Sequence, residues 1–187
     1  GTVSVIDVAA HKVADVIKVG GDRASSPQEI AVCGKTYPVC TANQGNRTAS
    51  LIAPDHSVLG TDLKIAPAAV AMTPKGDMAL LAGPQDKVLA VIATRNIPPA
   101  ARHLRMAGPG GAAKSVAIRA DGRGALVLHP GADAGTFLEL GALHVQAIVP
   151  LPKLPVRAIL TDDNRFACII RQNADVMTVV VLGSVFL

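Results

Sequence analysis

An apolar two-stranded hairpin recurs four times along this chain of 187 residues, and no other feature of the sequence constrains the fold as strongly. Each copy has a short apolar strand, a tight polar turn and a second apolar strand. The copies lie at residues 29–40, 69–81, 116–128 and 157–170, so they begin roughly 40 to 47 residues apart. An internal period of that length indicates small structural units that bury their apolar faces only by stacking on one another.

The segments between the hairpins also have the character of strands. Each hairpin is followed by a polar loop, an apolar run and one further strand, and a Gly- or Pro-rich link then leads to the next copy. The apolar residues alternate or run continuously, and Gly and Pro are too frequent for helices to continue. The opening residues 2–8 resemble the run that follows a hairpin. The sequence therefore predicts repeating units of four strands.

Four-stranded units at this period predict an all-β propeller built of four-stranded antiparallel blades. The chain would hold four full repeats and one leading outer strand, in a single domain or propeller fragment covering residues 1–187. We expect the strand before each hairpin to lie next to the central axis, and the run after the hairpin to lie outermost. The innermost strands would then be residues 13–19, 58–65, 101–106 and 143–151. The approximate repeats are residues 9–53, 54–94, 95–140 and 141–182.

Composition supports sheets with an aliphatic core. Apolar residues make up 50% of the chain and aromatic residues only 2%, with no Trp at all. The core must therefore be built from Val, Ile, Leu and Ala, which suits strands that pack face to face. The absence of Trp also makes a WD40-type repeat a poor description of the sequence.

Charge and hydropathy argue against several classes of protein. The net charge is +4, but the basic residues are scattered, and few aromatic residues are present to stack on bases. Nucleic-acid binding therefore has little support. No apolar stretch reaches the length of about 20 residues that a spanning helix needs. The first residues lack the basic and apolar regions of a signal peptide.

The three cysteines do not indicate a disulfide framework or a zinc site. An odd count leaves at least one thiol unpaired, and no CxxC or HxxH spacing occurs. A two-residue turn at Gly34 and Lys35 would place Cys33 opposite Thr36 and Cys40 opposite Glu29. The two sulfurs would then lie four residues apart along the ladder, at about 3.3 Å per residue, which exceeds the reach of a disulfide. We expect Cys33, Cys40 and Cys168 to be buried thiols.

The first repeat resembles the YVTN-type (YncE-like) β-propeller family, and the later copies keep its turn and apolar rhythm. The residues that carry the resemblance are Val3-Ser4-Val5-Ile6-Asp7, Lys12-Val13, Val19-Gly20, Pro27, Ile30-Ala31-Val32, Gly34-Lys35-Thr36, Val39 and Ala42-Asn43. The resemblance implies a propeller fold for nearly the whole chain. It says little about function, because such repeats occur in scaffolds, binding proteins and enzyme subunits.

The number of repeats departs from that family. Seven-bladed members need about 300 residues at 40 to 45 residues per blade, and only four full repeats fit here. Three explanations stay open: the chain is part of a larger ring of about seven blades, two chains complete one ring, or the chain closes as a small ring. An unpaired leading strand would leave an exposed sheet edge, which is a liability.

Five side chains are candidates for ligand binding, and none for catalysis or metal binding. His103, Arg105 and His144 lie in strands that we expect next to the axis. His129 ends the second strand of its hairpin, on a loop-bearing face, and Arg23 lies in a polar loop near the axis. His11 and His56 occupy matching turns, so we interpret them as exposed turn residues.

The acidic residues recur at equivalent positions, which favours structural roles. Asp77, Asp121, Asp162 and Asp163 fall in hairpin turns, where a carboxylate accepts backbone N–H bonds. Asp86, Asp133 and Asp175 recur in the loops after the hairpins. No Ser-His-Asp or Cys-His set is apparent.

Two hypotheses for function follow. The first is a non-catalytic binding or scaffold propeller that presents loops or the channel mouth to a protein or small ligand, without a cofactor. The alternative, implied by the resemblance, is a lactonase-like hydrolase or the large subunit of an amine dehydrogenase. His103, His144, Arg105 and Arg23 converging on the axis would favour the enzyme. The resemblance also implies a periplasmic or extracellular location.

Overall fold

The computed structural model describes residues 1–22, 24–33, 38–106 and 113–183, and these residues form seventeen β-strands. The strands are β1 (Thr2–Asp7), β2 (Lys12–Lys18), β3 (Pro27–Val32), β4 (Val39–Asn43), β5 (Thr48–Ile52), β6 (Val58–Asp62), β7 (Ala69–Met72), β8 (Met78–Ala82), β9 (Val88–Ala93), β10 (Ala101–Arg105), β11 (Ser115–Ile118), β12 (Gly124–His129), β13 (Ala134–Glu139), β14 (His144–Pro150), β15 (Pro155–Leu160), β16 (Phe166–Arg171) and β17 (Thr178–Val181). The helical structure in this part of the chain is a single 3-10 turn, Pro130–Ala132, so it holds no helix that could cross a membrane.

The strands form five separate antiparallel sheets, each made of strands consecutive in sequence. Sheet I contains β1 and β2, sheet II contains β3 to β6, sheet III contains β7 to β10, sheet IV contains β11 to β14, and sheet V contains β15 to β17. The prediction of an all-β propeller with four-stranded antiparallel blades is confirmed, since sheets II, III and IV have that form.

The expected order of strands within a blade is wrong. The strand before each hairpin does not begin a sheet; it is the last strand of the sheet before, as β6 pairs with β5 and β10 pairs with β9. The first strand of each hairpin lies innermost instead. In the stack, β3 contacts β7, β7 contacts β11, and β11 contacts β15. Each blade therefore runs from β3, β7, β11 or β15 outward, shifted by one strand from the predicted repeats.

Each interior sheet is buried on both of its faces, which explains its continuous apolar strands. All six residues of β12 are buried, and so are Ala79, Leu80, Leu81 and Ala82 of β8. Alternate residues of these strands point to opposite neighbours, because side chains alternate across a sheet. Leu81 packs toward sheet II, whereas Leu80 packs toward sheet IV.

Three aliphatic layers hold the stack together. The layer between sheets II and III contains Leu51, Ile65 and Ile92, and the layer between sheets III and IV contains Leu89, Val127 and Leu138. Phe137 and Ile169 lie between sheets IV and V. Full burial of one such side chain contributes about 1.5–3 kcal/mol, so the layers supply most of the driving force.

The contact between sheets I and II differs from the other three. It has a small apolar part, in which Ile17, Val19 and Ile52 are buried. Beside that part lies a set of buried polar side chains. Asn43 donates from Nδ2 to the Thr48 hydroxyl at 3.1 Å and to the Ser50 hydroxyl at 3.0 Å. The Ser50 hydroxyl also accepts the Gly20 N–H at 2.9 Å, so this network ties sheet II to the chain leaving sheet I.

The hairpin turns follow the sequence prediction. Gly76, Gly122 and Asn164 all have φ between 58° and 70°, the left-handed region that glycine and asparagine tolerate best. His11 and His56 are also left-handed turn residues, with φ of 51° and 67°, as expected from their matching positions.

The thiols are arranged differently from the prediction. Cys40 pairs with Ala31 rather than with Glu29, because β3 ends at Val32 and β4 begins only at Val39, so more residues join the two strands than a two-residue turn would use. Cys33 and Cys40 are buried, whereas Cys168 is only partly buried. Burial raises the pKa of the Cys40 thiol to about 12. Gly34, Lys35 and Thr36 lie outside the described residues.

Two of the three recurring loop aspartates join their loops to the links between sheets, in agreement with the structural role expected for them. Asp86, in the loop between β8 and β9, accepts the Ala66 N–H at 3.1 Å and holds the link before its sheet. Asp133, in the loop between β12 and β13, accepts the Leu154 N–H at 2.7 Å and holds the link after its sheet. Asp121 and Asp163 accept N–H bonds within their own hairpin turns.

The layer between sheets IV and V predicts a large effect for Phe137→Ala. The ring is fully buried, so its loss leaves a cavity and should lower the free energy of unfolding by about 3–5 kcal/mol. Val179→Ala, on the exposed face of sheet V, should change it by less than about 0.5 kcal/mol. Urea denaturation followed by circular dichroism would measure both, and a Phe137 effect no larger than the Val179 effect would contradict this packing.

The Asp133 contact predicts a difference between two substitutions at one position. Asp133 has a φ of 48°, and Asn tolerates that conformation and keeps an acceptor oxygen, whereas Ala does neither. Asp133→Ala should lower the free energy of unfolding by about 1.5–3 kcal/mol, and Asp133→Asn by less than about 1 kcal/mol. Equal losses in urea denaturation would show that the link between sheets IV and V does not depend on this hydrogen bond.

Candidate binding site beside the first sheet

A groove runs between β1 and β3, where sheet I has two strands and sheet II has four. We call it the β1–β3 groove. Its axial half has a volume of about 310 Å³, and the half toward the turns about 320 Å³. Val3, Ser4 and Ile30 line both halves, so the two are continuous. The axial half is also lined by Thr2, Pro27, Gln28, Glu29 and Thr41, and the other half by Val5, Ile17, Val32, Val39, Ile52, Ala53, Pro54 and His56.

The floor of the groove is apolar and uncovered. Ile30 is 46% exposed and Val32 is 65% exposed. The equivalent residues on the inner strands of the next sheets pack against the sheet before them. Val70 of β7, for example, is only 5% exposed, within the layer formed with sheet II. Within the described residues sheet I consists of β1 and β2 alone, and Ile30 and Val32 therefore hold interface positions that these two strands leave partly exposed.

The axial end of the groove is charged. Glu29 accepts the backbone N–H of Val70 at 2.8 Å through Oε2, and Nη2 of Arg157 lies 3.8 Å from its Oε1. These residues come from β3, β7 and β15, the inner strands of three different sheets. An ion pair as exposed as this one contributes at most about 1 kcal/mol to stability. Its significance is that it places two opposite charges at the axis, beside the mouth of the groove.

Four of the five predicted site residues lie elsewhere, and Arg23 lies outside the described residues. None of the four lines the groove. His103 and Arg105 lie two residues apart on β10, the outermost strand of sheet III, and His144 begins β14, the outermost strand of sheet IV. The expectation that these three face the axis is wrong, because the strands that carry them end a sheet instead of beginning one.

The three histidines among them have local partners. His103 accepts the Lys64 backbone N–H at 3.1 Å through Nε2, and Nδ1 of His144 lies 3.5 Å from Glu139 Oε2. His129 is buried at the end of β12, where Nε2 and the Thr136 hydroxyl are 2.9 Å apart. These contacts are structural, between neighbouring sheets or within one sheet. Whether any of the four binds a ligand stays a prediction.

Two carboxylates that lie close to histidines, Glu139 beside His144 and Asp15 beside His56, have lowered pKa values. The pKa of Glu139 is lowered chiefly by the N–H groups of Ala142 and Gly141, which donate to its carboxylate in the turn after β13. The pKa of Asp15 is lowered by the Val16 N–H and then by His56, whose Nδ1 lies 2.5 Å from Asp15 Oδ2. Both groups stabilise turns and outer strands. Across residues 1–22, 24–33, 38–106 and 113–183, no three His, Cys, Asp or Glu side chains are grouped as metal ligands would be.

The sequence pattern could have predicted that Glu29 and Arg157 lie at the axis, but the incorrect strand order prevented that prediction. Glu29 and Arg157 hold equivalent places on the first strands of their hairpins, each beside a register shift near a proline. A charged residue within an apolar hairpin strand is unusual in a chain of only 17% charged residues. With the hairpin placed innermost, that pattern would have predicted charges at the axis.

The surroundings of His103 predict its titration. Partial burial lowers its pKa from 6.5, and the nearby charge of Lys64 lowers it further. The unfolded chain therefore binds this proton more tightly, so His103 is expected to reduce stability as the pH falls below about 6.5. Titration followed by NMR should give a midpoint below 6.5. Lys64→Gln should raise that midpoint while leaving it below 6.5, and the control Lys153→Gln should not move it.

An ordinary or raised midpoint for His103 in the unsubstituted protein would contradict this assignment. A midpoint that Lys64→Gln leaves unchanged would show that burial alone lowers the pKa.

Comparison with solved structures shows the β-propeller fold. The chain is similar to the structure of Kuenenia stuttgartiensis hydrazine synthase, with a TM-score of 0.77 and 14% identity over 89% of this chain. It is also similar to the β-propeller domain of Myceliophteria thermophila Cps50 (Swd1), with a TM-score of 0.83 and 11% identity over all of this chain. The chain covers 50% and 61% of those two chains. No protein-family model and no curated protein matches the sequence.

Proposed function

We propose that this chain is a non-catalytic binding or scaffold propeller and that it binds a polypeptide in the β1–β3 groove. The observation that carries the proposal is the exposure of Ile30 and Val32 on an inner strand, at positions whose counterparts are packed in the following sheets. Apolar side chains in a continuous groove beside a strand provide both contact area and backbone partners for an extended chain.

The shape of the groove supports a polypeptide over a small ligand. Its two halves follow β1 lengthwise from Thr2 to Val5 and are open to solvent, whereas small-molecule sites enclose most of their ligand. Burying one side chain such as Ile30 contributes up to about 1.5–3 kcal/mol, so a few contacts along the groove suffice for micromolar affinity.

The solved structures fit this function and the alternative of an enzyme subunit. One neighbour carries the name of an enzyme, hydrazine synthase, and the other is described as a β-propeller domain. The axial pair Glu29 and Arg157 is the observation that favours the alternative, because it places charge at the axis. A pair of opposite charges neutralises itself, however, and supplies neither a nucleophile nor an identified acid–base couple. Binding therefore has the stronger support.

The resemblance to YVTN-type repeats supports the same proposal and suggests a location. Proteins of that type include binding proteins, and many are exported. We extend the proposal to a periplasmic or extracellular protein of the YVTN type. A reporter fusion to the complete gene product, tested for export, would check the location independently of the binding experiments.

Peptide selection tests the proposed function. A displayed library of random 12-residue peptides would be selected on the unsubstituted protein and then measured individually by fluorescence anisotropy. We expect apolar peptides that compete with one another and bind Ile30→Asp at least tenfold more weakly. Ile97→Asp should leave their affinity within twofold, because Ile97 is an exposed apolar residue that does not line the groove.

Failure to select any peptide that distinguishes Ile30→Asp from Ile97→Asp would overturn the proposal. Both variants should first show the circular dichroism spectrum of the unsubstituted protein, so that a loss of binding reports on the groove.

A further inference from the structure

We propose that a polar pocket at the outer rim, between sheets I and II, binds a guanidinium group through the carboxylate of Asp62. The pocket lies between the chain that leaves β2 and the outer strands of sheet II, β5 and β6. It shares no lining residue with the β1–β3 groove. The inference is therefore independent of the proposed function.

The pocket is small, polar and bordered largely by glycine. Its volume is about 200 Å³, below the about 300–1,000 Å³ of drug-sized sites, so it suits a single functional group. A Cβ placed on Gly21 or Gly60 would meet no other heavy atom within 4 Å, so side chains could occupy this space and none does. The lining residues are Gly20, Gly21, Thr48, Gly60, Thr61 and Asp62.

The equivalent place in the next sheet shows what such a space can hold. β6 and β10 are the outermost strands of sheets II and III. Their last residues, Asp62 and Arg105, pair with the residues that begin β5 and β9. Gly60 and His103, each two residues before the end of its strand, therefore hold the same position. Where sheet II has no side chain, sheet III carries an imidazole ring.

Between sheets II and III this ring contacts the backbone of the link that follows β6. His103 Nε2 accepts the N–H of Lys64, the second residue after β6, at 3.1 Å. Gly20 is the second residue after β2 and holds the same place between sheets I and II. Its N–H donates to the Ser50 hydroxyl at 2.9 Å, and its carbonyl accepts Asn46 Nδ2 at 2.5 Å. The backbone of Gly20 is therefore satisfied without a ring, and the place of the ring is open.

The charge at the rim determines which group complements the pocket. Asp62 stands where sheet III has Arg105, so the charge is reversed between the two equivalent places. Among the described residues, no hydrogen bond or ion pair engages the Asp62 carboxylate, and the nearby Lys18 is paired with Asp22 at 2.7 Å. A complementary ligand therefore carries positive charge and donates hydrogen bonds.

A guanidinium group meets these conditions better than an ammonium group. It is planar, like the imidazole in the equivalent place, and it presents two parallel N–H donors to one carboxylate. The Leu63 N–H donates to the Arg47 carbonyl, and backbone directions alternate along an antiparallel strand, so the carbonyls of Gly60 and Asp62 point away from β5. They are further acceptors beside the pocket. Because an exposed ion pair contributes little free energy, we expect a dissociation constant of about 1 mM.

Four small probes test the class of ligand, each titrated into the unsubstituted protein and followed by amide NMR shifts. N-acetyl-L-arginine amide should shift the amides of Gly21, Gly60 and Asp62. N-acetyl-L-citrulline amide, its neutral isostere, should bind at least tenfold more weakly, and N-acetyl-L-lysine amide at least threefold more weakly. L-Arginine distinguishes two sources of the group: affinity more than threefold above that of the capped form assigns the pocket to the free amino acid, and otherwise to a side chain of a polypeptide.

Two substitutions test the pocket itself. Asp62→Asn removes the charge and keeps the shape, and Gly60→His places in the pocket the ring that sheet III carries there. Each should weaken binding of N-acetyl-L-arginine amide at least fivefold. The matched controls Asp175→Asn and Gly131→His should leave it within twofold, because Asp175 is an exposed carboxylate outside the pocket and Gly131 also has open space for a side chain.

Several outcomes would overturn the inference: no binding of either arginine probe at 10 mM, citrulline binding as tight as arginine binding, or unchanged affinity in Asp62→Asn. Circular dichroism would first verify that each variant is folded, and if Gly60→His is not, Asp62→Asn and its control decide alone. Peptides selected on the β1–β3 groove should bind Asp62→Asn with unchanged affinity. Failure of the guanidinium site therefore leaves the proposed function standing, and failure of the groove leaves this site standing.

Discussion

Burial of both faces of each small sheet is the constraint on which the rest of this structure depends. A four-stranded sheet with apolar residues on both sides has no stable form alone, and every interior sheet here obtains its stability from two neighbours. Leu80 and Leu81, adjacent in β8, contribute to different layers for this reason. The stack is therefore cooperative between neighbours, and a sheet without a full neighbour exposes surface that the same geometry would otherwise bury.

The polar contact between sheets I and II has a different role from the aliphatic layers. Asn43, Ser50 and Gly20 satisfy one another's hydrogen bonds, so their burial costs little, but they add less stability than apolar packing would. Directional bonds of this kind permit one alignment of the sheets and disfavour others. Since sheet I has only two strands and a small apolar contact, such a network is well placed to hold it in register beside the groove.

The sequence was sufficient to predict the fold class, the hairpin turns and the structural aspartates, but not the strand that begins each blade. The hairpin is encoded locally, by Gly76 or Asn164 in a turn between apolar runs. The first strand of a blade is defined by hydrogen bonds between segments, and all the strands of this repeat have similar composition. One local cue was present: the turn at His56 is short, and short connections join neighbouring strands of one sheet. Giving weight to that turn would have placed β5 and β6 together and Glu29 at the axis.

Sheets I and V differ in the kind of contact that each makes with its neighbour. Sheet V packs on sheet IV through apolar side chains such as Phe137 and Ile169, and apolar contact is not directional. Sheet I is joined to sheet II by the hydrogen bonds of Gly20, Ser50 and Asn43 beside a small apolar contact, and each of these bonds requires its partner in one position. The alignment of sheet I is therefore specified more strictly than that of sheet V.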